Sequence, residues 1–127
     1  MLSSSTKARE TYQRNQVQTA SPGELTLMLY NGLVRNIKQA KQSIEAKQIE
    51  ASHSFIIRAQ DIITELMITL NMEYDISKQL MPLYDYMKQS LIEVNLKKDL
   101  DKLAEVEGMA AELRETWAQA IKLAKQP

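Results

Sequence analysis

The sequence predicts an all-α fold, an antiparallel up-down-up-down four-helix bundle preceded by a short N-terminal arm. Hydrophobic residues make up 44% of the 127 residues, whereas glycine and proline contribute three each, and this composition favours helices over a turn-rich β fold. Apolar side chains also recur at intervals of three and four residues from residue 22 almost to the end of the chain. The length suits one domain with a single core, which we place at residues 19–127, after an arm at residues 1–18.

The arm is polar, with Tyr12 and Val17 as its main apolar interruptions. It is either a flexible tail or a segment that docks these two side chains on the bundle. A complete helix start follows: Ser21 is a favourable N-cap, Pro22 suits the first helical position, and Glu24 can reach back to the N–H of the cap. The arm and the bundle are therefore separate parts of the chain.

The first helix is predicted from Pro22 to about Ala46 and the second from Glu50 to about Leu70. Each has one apolar stripe, at 100° per residue, that faces the core. The stripes consist of Leu25, Leu29, Leu33, Ile37, Ala40 and Ile44 in the first helix, and of Phe55, Ala59, Ile62, Ile63, Leu66 and Leu70 in the second, widened by Ile56 and Met67.

The third helix is predicted to follow a loop at residues 71–75, with Asp75 or Ser77 as its N-cap, and to reach about Asn95. The fourth begins at the cap Asp99 and runs to about Ala124. Their core stripes consist of Leu80, Leu83, Tyr84, Met87, Leu91 and Val94 in the third helix, and of Leu103, Val106, Ala110, Leu113, Trp117, Ala120 and Ile121 in the fourth.

The first three helices carry more apolar residues than these stripes need. The surplus consists of Leu27 and Val34 in the first helix, with Tyr30 at the edge of its stripe, Ile57 and Ile68 in the second, and Met81 and Ile92 in the third. We interpret these residues, with Tyr12 and Val17 of the arm, as a partner-binding surface. A homodimer interface would use the same residues, and single exposed aliphatic side chains are normal on folded proteins.

Charge and cysteine content exclude several classes of function. Sixteen basic and sixteen acidic residues give a formal net charge of zero, so no global field attracts nucleic acid. The absence of cysteine excludes disulfides, thiol catalysis and thiolate metal sites. The first residues lack the apolar core of a signal peptide, and no apolar run is long enough to span a membrane. We therefore expect a cytoplasmic protein with no membrane insertion.

His53 is the single histidine, and with Glu50 it forms the Glu-x-x-His spacing of di-metal helix bundles. Such sites use this motif twice, together with carboxylates from two other helices. One histidine cannot supply two motifs, so we predict no metal, no cofactor and no catalytic residues. A metal-dependent enzyme is the third alternative, behind a binding protein and a structural homodimer or adaptor bundle.

Five segments, in order along the chain, resemble the FliS family of flagellar export chaperones. After Tyr12 and Val17, these segments are Thr19–Leu25, Met28–Gly32, Ala59–Leu66, Leu83–Met87 and Leu113–Trp117. The resemblance extends from about Tyr12 to Ile121. Asn31 stands where many relatives carry aspartate, and Arg58 stands in place of the usual lysine.

This resemblance implies a cytoplasmic helical bundle that holds the C-terminal segment of newly made flagellin. Such a chaperone would prevent premature polymerisation and help to deliver its cargo to a component of the membrane export gate. In this family the cargo is disordered when free and wraps the bundle as extended stretches and short helices. The N-terminal arm can occupy part of the same surface.

Overall fold

The computed structural model describes residues 21–125, which form four helices. These are α1 (Pro22–Glu45), α2 (Ile49–Thr69), α3 (Asp75–Lys97) and α4 (Leu100–Ala124). Helix α1 packs on α2 and α4, and α3 packs on the same two helices, so the four follow one another around the bundle in chain order. Short connections make each helix antiparallel to the next. The predicted fold class is confirmed, whereas the predicted arm, with Tyr12 and Val17, lies outside the described residues.

Two of the helix starts have the predicted caps. The Ser21 hydroxyl oxygen accepts a hydrogen bond of 3.2 Å from the backbone N–H of Glu24. The Asp99 carboxylate accepts one of 3.1 Å from the backbone N–H of Lys102. Each bond satisfies one of the N–H groups that have no partner inside the first turn of a helix.

The predicted cap of α3 is wrong. Tyr74 is the N-cap, with extended backbone and no side-chain hydrogen bond to the helix. Asp75 is already helical, and its carboxylate favours the positive end of the helix dipole from within the first turn. Ser77 is buried further along the helix. The start of α3 is therefore held by packing rather than by a side-chain cap.

The core is closed at one end of the bundle and open at the other. At the end formed by the last turns of α1 and α3, Ile44 and Phe55 are half-buried, but most core side chains are fully covered: Ile37, Ala40, Ile56, Leu91, Val94, Leu103 and Val106. At the opposite end, apolar side chains of all four helices are only partly buried: Leu29, Leu70, Leu80, Leu83, Leu113 and Trp117. We call this second region the open end.

Helix α1 buries a wider arc than its predicted stripe. Tyr30 and Val34 are only 1% and 2% exposed and belong to the core. Because α1 contacts both α2 and α4, residues on either side of the stripe are covered as well. The expectation that Val34 lies off the core face is wrong, because its side chain is buried like that of Tyr30.

Candidate partner-binding surfaces

Helices α2 and α3 are aligned by a hydrogen bond between His53 and Asn95. The Nδ1 atom of His53 and the amide nitrogen of Asn95 lie 2.8 Å apart, which fixes the register of the two antiparallel helices. Counting from this pair, Ile57 of α2 lies level with Ile92 of α3, to within one residue. Both isoleucines are 37% exposed, and together they form a small apolar patch on the outside of the α2–α3 pair.

A second small apolar patch lies three turns further along the same face. Ile68 is 70% exposed, and the register places it level with the half-buried Met81. The eleven residues between Ile57 and Ile68 correspond to about 16 Å along the helix and leave the two side chains about 20° apart around its axis. The α2–α3 stripe, as we call Ile57, Ile68, Met81 and Ile92, thus unites four of the residues predicted to bind a partner.

The open end contains a cavity of about 240 Å³. Its apolar wall is formed by Tyr30, Leu70, Tyr74, Ile76, Leu80 and Trp117. The indole N–H of Trp117 donates a 2.8 Å hydrogen bond to the Gly23 carbonyl, which fastens α4 to the start of α1. The cavity is therefore an apolar recess with room for one or two side chains.

The floor of this cavity contains a buried tyrosine pair. The hydroxyl groups of Tyr30 and Tyr84 are hydrogen-bonded to each other, and their ring centroids lie 6.5 Å apart. Burial away from water raises the pKa of both phenols. For Tyr84 the bond to Tyr30 raises the pKa further, whereas for Tyr30 it partly offsets the effect of burial. Both groups stay neutral at physiological pH.

A smaller recess of about 190 Å³ lies between α3 and α4. Leu83, Met109 and Leu113 form its apolar part, and Glu112 and Thr116 complete the lining. Part of the core stripe predicted for α4 is thus uncovered in the C-terminal half of the helix.

An apolar segment at the junction between α2 and α3 was not predicted to belong to the site. Met72, Tyr74 and Ile76 are exposed, and the last two line the open-end cavity. The signal was present in the sequence, because these three large apolar side chains alternate from the predicted loop into the first turn of α3. Leu27, by contrast, is half-buried on α1 and does not join the α2–α3 stripe.

The His53 imidazole bonds to an amide and not to a carboxylate. Within residues 21–125, no group of three or more histidine, cysteine or acidic side chains could hold a metal ion. Over the same residues, no helix has both the length and the hydropathy needed to cross a bilayer.

A small helical bundle with open apolar recesses and an exposed apolar stripe has the form of a protein that binds apolar segments of other chains. A family model described as "Flagellar protein FliS" matches residues 5–124. The flagellar secretion chaperone FliS of Bacillus subtilis is 48% identical over 110 residues, which cover 87% of this chain and 83% of that protein. The chain belongs to the FliS family of flagellar secretion chaperones.

More distant relatives agree with this assignment. The flagellar secretion chaperone FliS of Campylobacter jejuni is 33% identical over 88% of this chain and 89% of its own length. That of Salmonella typhimurium is 33% identical over 81% of this chain and 78% of its own length. A solved structure titled "Crystal structure of flagellar chaperone from bacteria" has the same fold, with a TM-score of 0.74 and 16% identity over 93% of this chain and 98% of the other.

Proposed function

We propose that this chain is a cytoplasmic export chaperone for flagellin. It binds the disordered C-terminal segment of flagellin, prevents premature polymerisation and helps to deliver this cargo to a component of the flagellar type III export gate. The observation that carries the proposal is the α2–α3 stripe, an exposed apolar surface on a bundle whose core is already complete at its closed end. Membership of a secretion chaperone family supports a protein segment as the ligand of this surface.

The spacing of the stripe suits a helical ligand. An amphipathic cargo helix that repeats the eleven-residue spacing places one apolar anchor on Ile57 and Ile92 and another on Ile68 and Met81. The recesses of the open end then receive apolar side chains from an extended stretch of the same cargo. Ordering a disordered segment forfeits several kcal/mol, and burial of about 1,000–3,000 Å² is typical of such complexes.

The N-terminal arm completes the proposed mechanism. Residues 1–18 precede Ser21, which lies at the open end next to the turn of α1 that Trp117 contacts. In the free chaperone Tyr12 and Val17 cover part of the apolar surface, and cargo displaces them. Such coverage lowers the apparent affinity in proportion to the fraction of covered molecules.

Charged substitutions in the stripe test the cargo site. In Ile57→Glu and Ile68→Glu we expect the affinity for a flagellin C-terminal peptide, measured by isothermal titration calorimetry, to fall by about ten-fold to a hundred-fold. Full burial of an isoleucine contributes about 1.5–3 kcal/mol, and each 1.4 kcal/mol is a factor of ten in affinity.

Ala104→Glu is the matched control, because Ala104 is an exposed apolar residue on α4, outside the stripe. This variant should bind the peptide as the parent protein does. Circular dichroism should show the same helix content in all three variants, since none of the substituted side chains is buried. Parental affinity in both isoleucine variants would contradict the assignment of this face.

Removal of residues 1–18 tests the arm. We expect the truncated chaperone to bind the flagellin peptide more tightly than the full chain in the same calorimetric experiment, because no competing segment has to leave the surface. An unchanged or lower affinity would show that the arm does not cover the site.

A structural homodimer or adaptor bundle is the second candidate, since exposed Ile68 could equally face a second copy of the chain. Sedimentation velocity with and without the flagellin peptide separates the two. A chaperone forms a one-to-one complex with the peptide, whereas an adaptor remains a dimer that the peptide does not change.

A further inference from the structure

The α1–α4 face of the bundle carries a basic groove of about 410 Å³. Arg35 and Lys38 project from α1 and Arg114 from α4, and among residues 21–125 no acidic side chain lines the groove. Within residues 21–125 the ion pairs join Lys97 and Lys102 to Glu93 and Lys125 to Glu24, so none involves these three cations. In a chain of zero formal net charge, this is a local concentration of positive charge with no counterpart in its own lining.

The other lining residues suit a peptide. Asn31, Gln39 and Gln42 place side-chain amides along the groove, and the side chain of Val34 lies beneath them. Such amides can donate to and accept from a peptide backbone, while arginine binds a carboxylate through two parallel hydrogen bonds. From Asn31 to Gln42 the groove extends about 16 Å, the length of about five residues of extended chain.

We infer that the α1–α4 groove is a second docking site, which binds a short acidic segment of a partner protein. The length of the groove favours a peptide over a single phosphate. Nucleic acid is disfavoured because none of the described aromatic side chains lines the groove for base stacking. Since α1 and α4 lie next to each other and α2 and α3 form the other side of the ring, this groove faces away from the α2–α3 stripe. An acidic partner can therefore dock while cargo occupies the stripe.

The test uses the full chain and a defined probe, a fluorescein-labelled eight-residue peptide of aspartate and glutamate with two leucines. We expect saturable binding by fluorescence anisotropy at low ionic strength, and much weaker binding of the peptide in which asparagine and glutamine replace the acids. The triple variant Arg35→Gln/Lys38→Gln/Arg114→Gln should bind the acidic peptide about ten-fold to a hundred-fold more weakly, since each exposed ion pair contributes a factor of about two to five.

The matched control removes three cations from other faces, in Lys78→Gln/Lys88→Gln/Lys122→Gln, and should leave binding within about two-fold. If both triple variants lost the same affinity for the acidic peptide, the loss would be explained by net charge alone, and the proposal would be overturned. The proposal would also be overturned if the parent protein failed to bind the acidic peptide. Displacement of the bound peptide by stoichiometric inorganic phosphate or by an RNA oligonucleotide would overturn it as well. If the triple variant loses helix content, the single variant Lys38→Gln, at an exposed position, should still bind the acidic peptide about two-fold to five-fold more weakly than the parent protein.

The groove variant should also keep the parental affinity for the flagellin peptide. This second measurement separates the two sites. Loss of acidic-peptide binding alone supports the groove, whereas loss of both affinities would show that the substitutions disturb the whole bundle and would overturn the assignment of a separate site.

Discussion

The buried tyrosine pair beneath the open-end cavity allows a sharp test of the core. Tyr30 and Tyr84 are each 1% exposed, and their hydroxyl groups are hydrogen-bonded to each other. Tyr30→Phe or Tyr84→Phe keeps the ring and its packing but leaves the other hydroxyl without this partner. A buried polar group left without a partner costs about 1–3 kcal/mol. Because the cavity reaches both residues, water can approach the orphan hydroxyl, and we expect a cost of about 1 kcal/mol for each single variant.

The double variant Tyr30→Phe/Tyr84→Phe should lose less stability than the sum of the losses in the two single variants. With both hydroxyls replaced, no polar group remains unsatisfied, and such paired replacement can be nearly neutral. Urea unfolding of the parent, both single variants and the double variant, followed by far-UV circular dichroism, completes a double-mutant cycle. Two losses of about 1 kcal/mol and a nearly neutral double variant correspond to a coupling free energy of about 2 kcal/mol. Strictly additive losses would show that the bond between the hydroxyls contributes nothing to stability.

Alkaline pH gives a second readout on the same proteins. In the unfolded chain a tyrosine loses its proton near pH 10, whereas burial raises the pKa of Tyr30 and Tyr84 in the folded state. Above pH 10 the unfolded state therefore binds fewer protons, and the free energy of unfolding falls as pH rises. The contribution of the pair is fully present below pH 10. The double variant, which lacks both phenols, should lose stability less steeply, and parallel curves would refute this explanation.

Two further substitutions test the helices. Gly108→Ala should raise the free energy of unfolding by about 0.5–1 kcal/mol, because among the described residues only the helix's own adjoining residues lie within 4 Å of the added methyl group and alanine is the better helix former. Gly32→Ala is its control and should gain less, since the methyl group would lie 3.4 Å from Ile62. Trp117→Phe should cost about 1 kcal/mol through loss of the hydrogen bond to Gly23, and an unchanged urea midpoint would contradict that role.

The helices and their order could be predicted from the sequence because each carries local signals. Ser21 and Asp99 cap their helices as predicted, and the apolar period identifies the inward face of each helix. Val34 was misjudged as lying off the core face, because a period gives the centre of the buried face and not its width. The width depends on how extensively the neighbouring helices cover a helix, and α1 has the most extensive contacts of the four described helices.

The candidate site, like the fold, could be predicted from the sequence only in part. Ile57 and Ile68 were predictable as surplus apolar residues, since they point away from the stripe of their own helix. The open end was not, because Leu113 and Trp117 continue the regular core pattern of α4. A periodic pattern cannot show that the neighbouring helices stop covering a stripe before it ends.

The two ends of the bundle explain how one small domain can be stable and still leave an apolar surface uncovered. At the closed end, side chains from all four helices, among them Ile37, Ile56, Leu91 and Val106, are completely covered, and this part of the core stabilises the fold without help from a ligand. At the open end, where packing is incomplete, hydrogen bonds help to hold the helices together. The Trp117–Gly23 bond and the tyrosine pair join helices around the cavity. Filling that cavity with larger core residues would strengthen the bundle and remove the recess. The open end is therefore stable enough to keep its shape and apolar enough to gain from a ligand, as the proposed binding of a disordered segment requires.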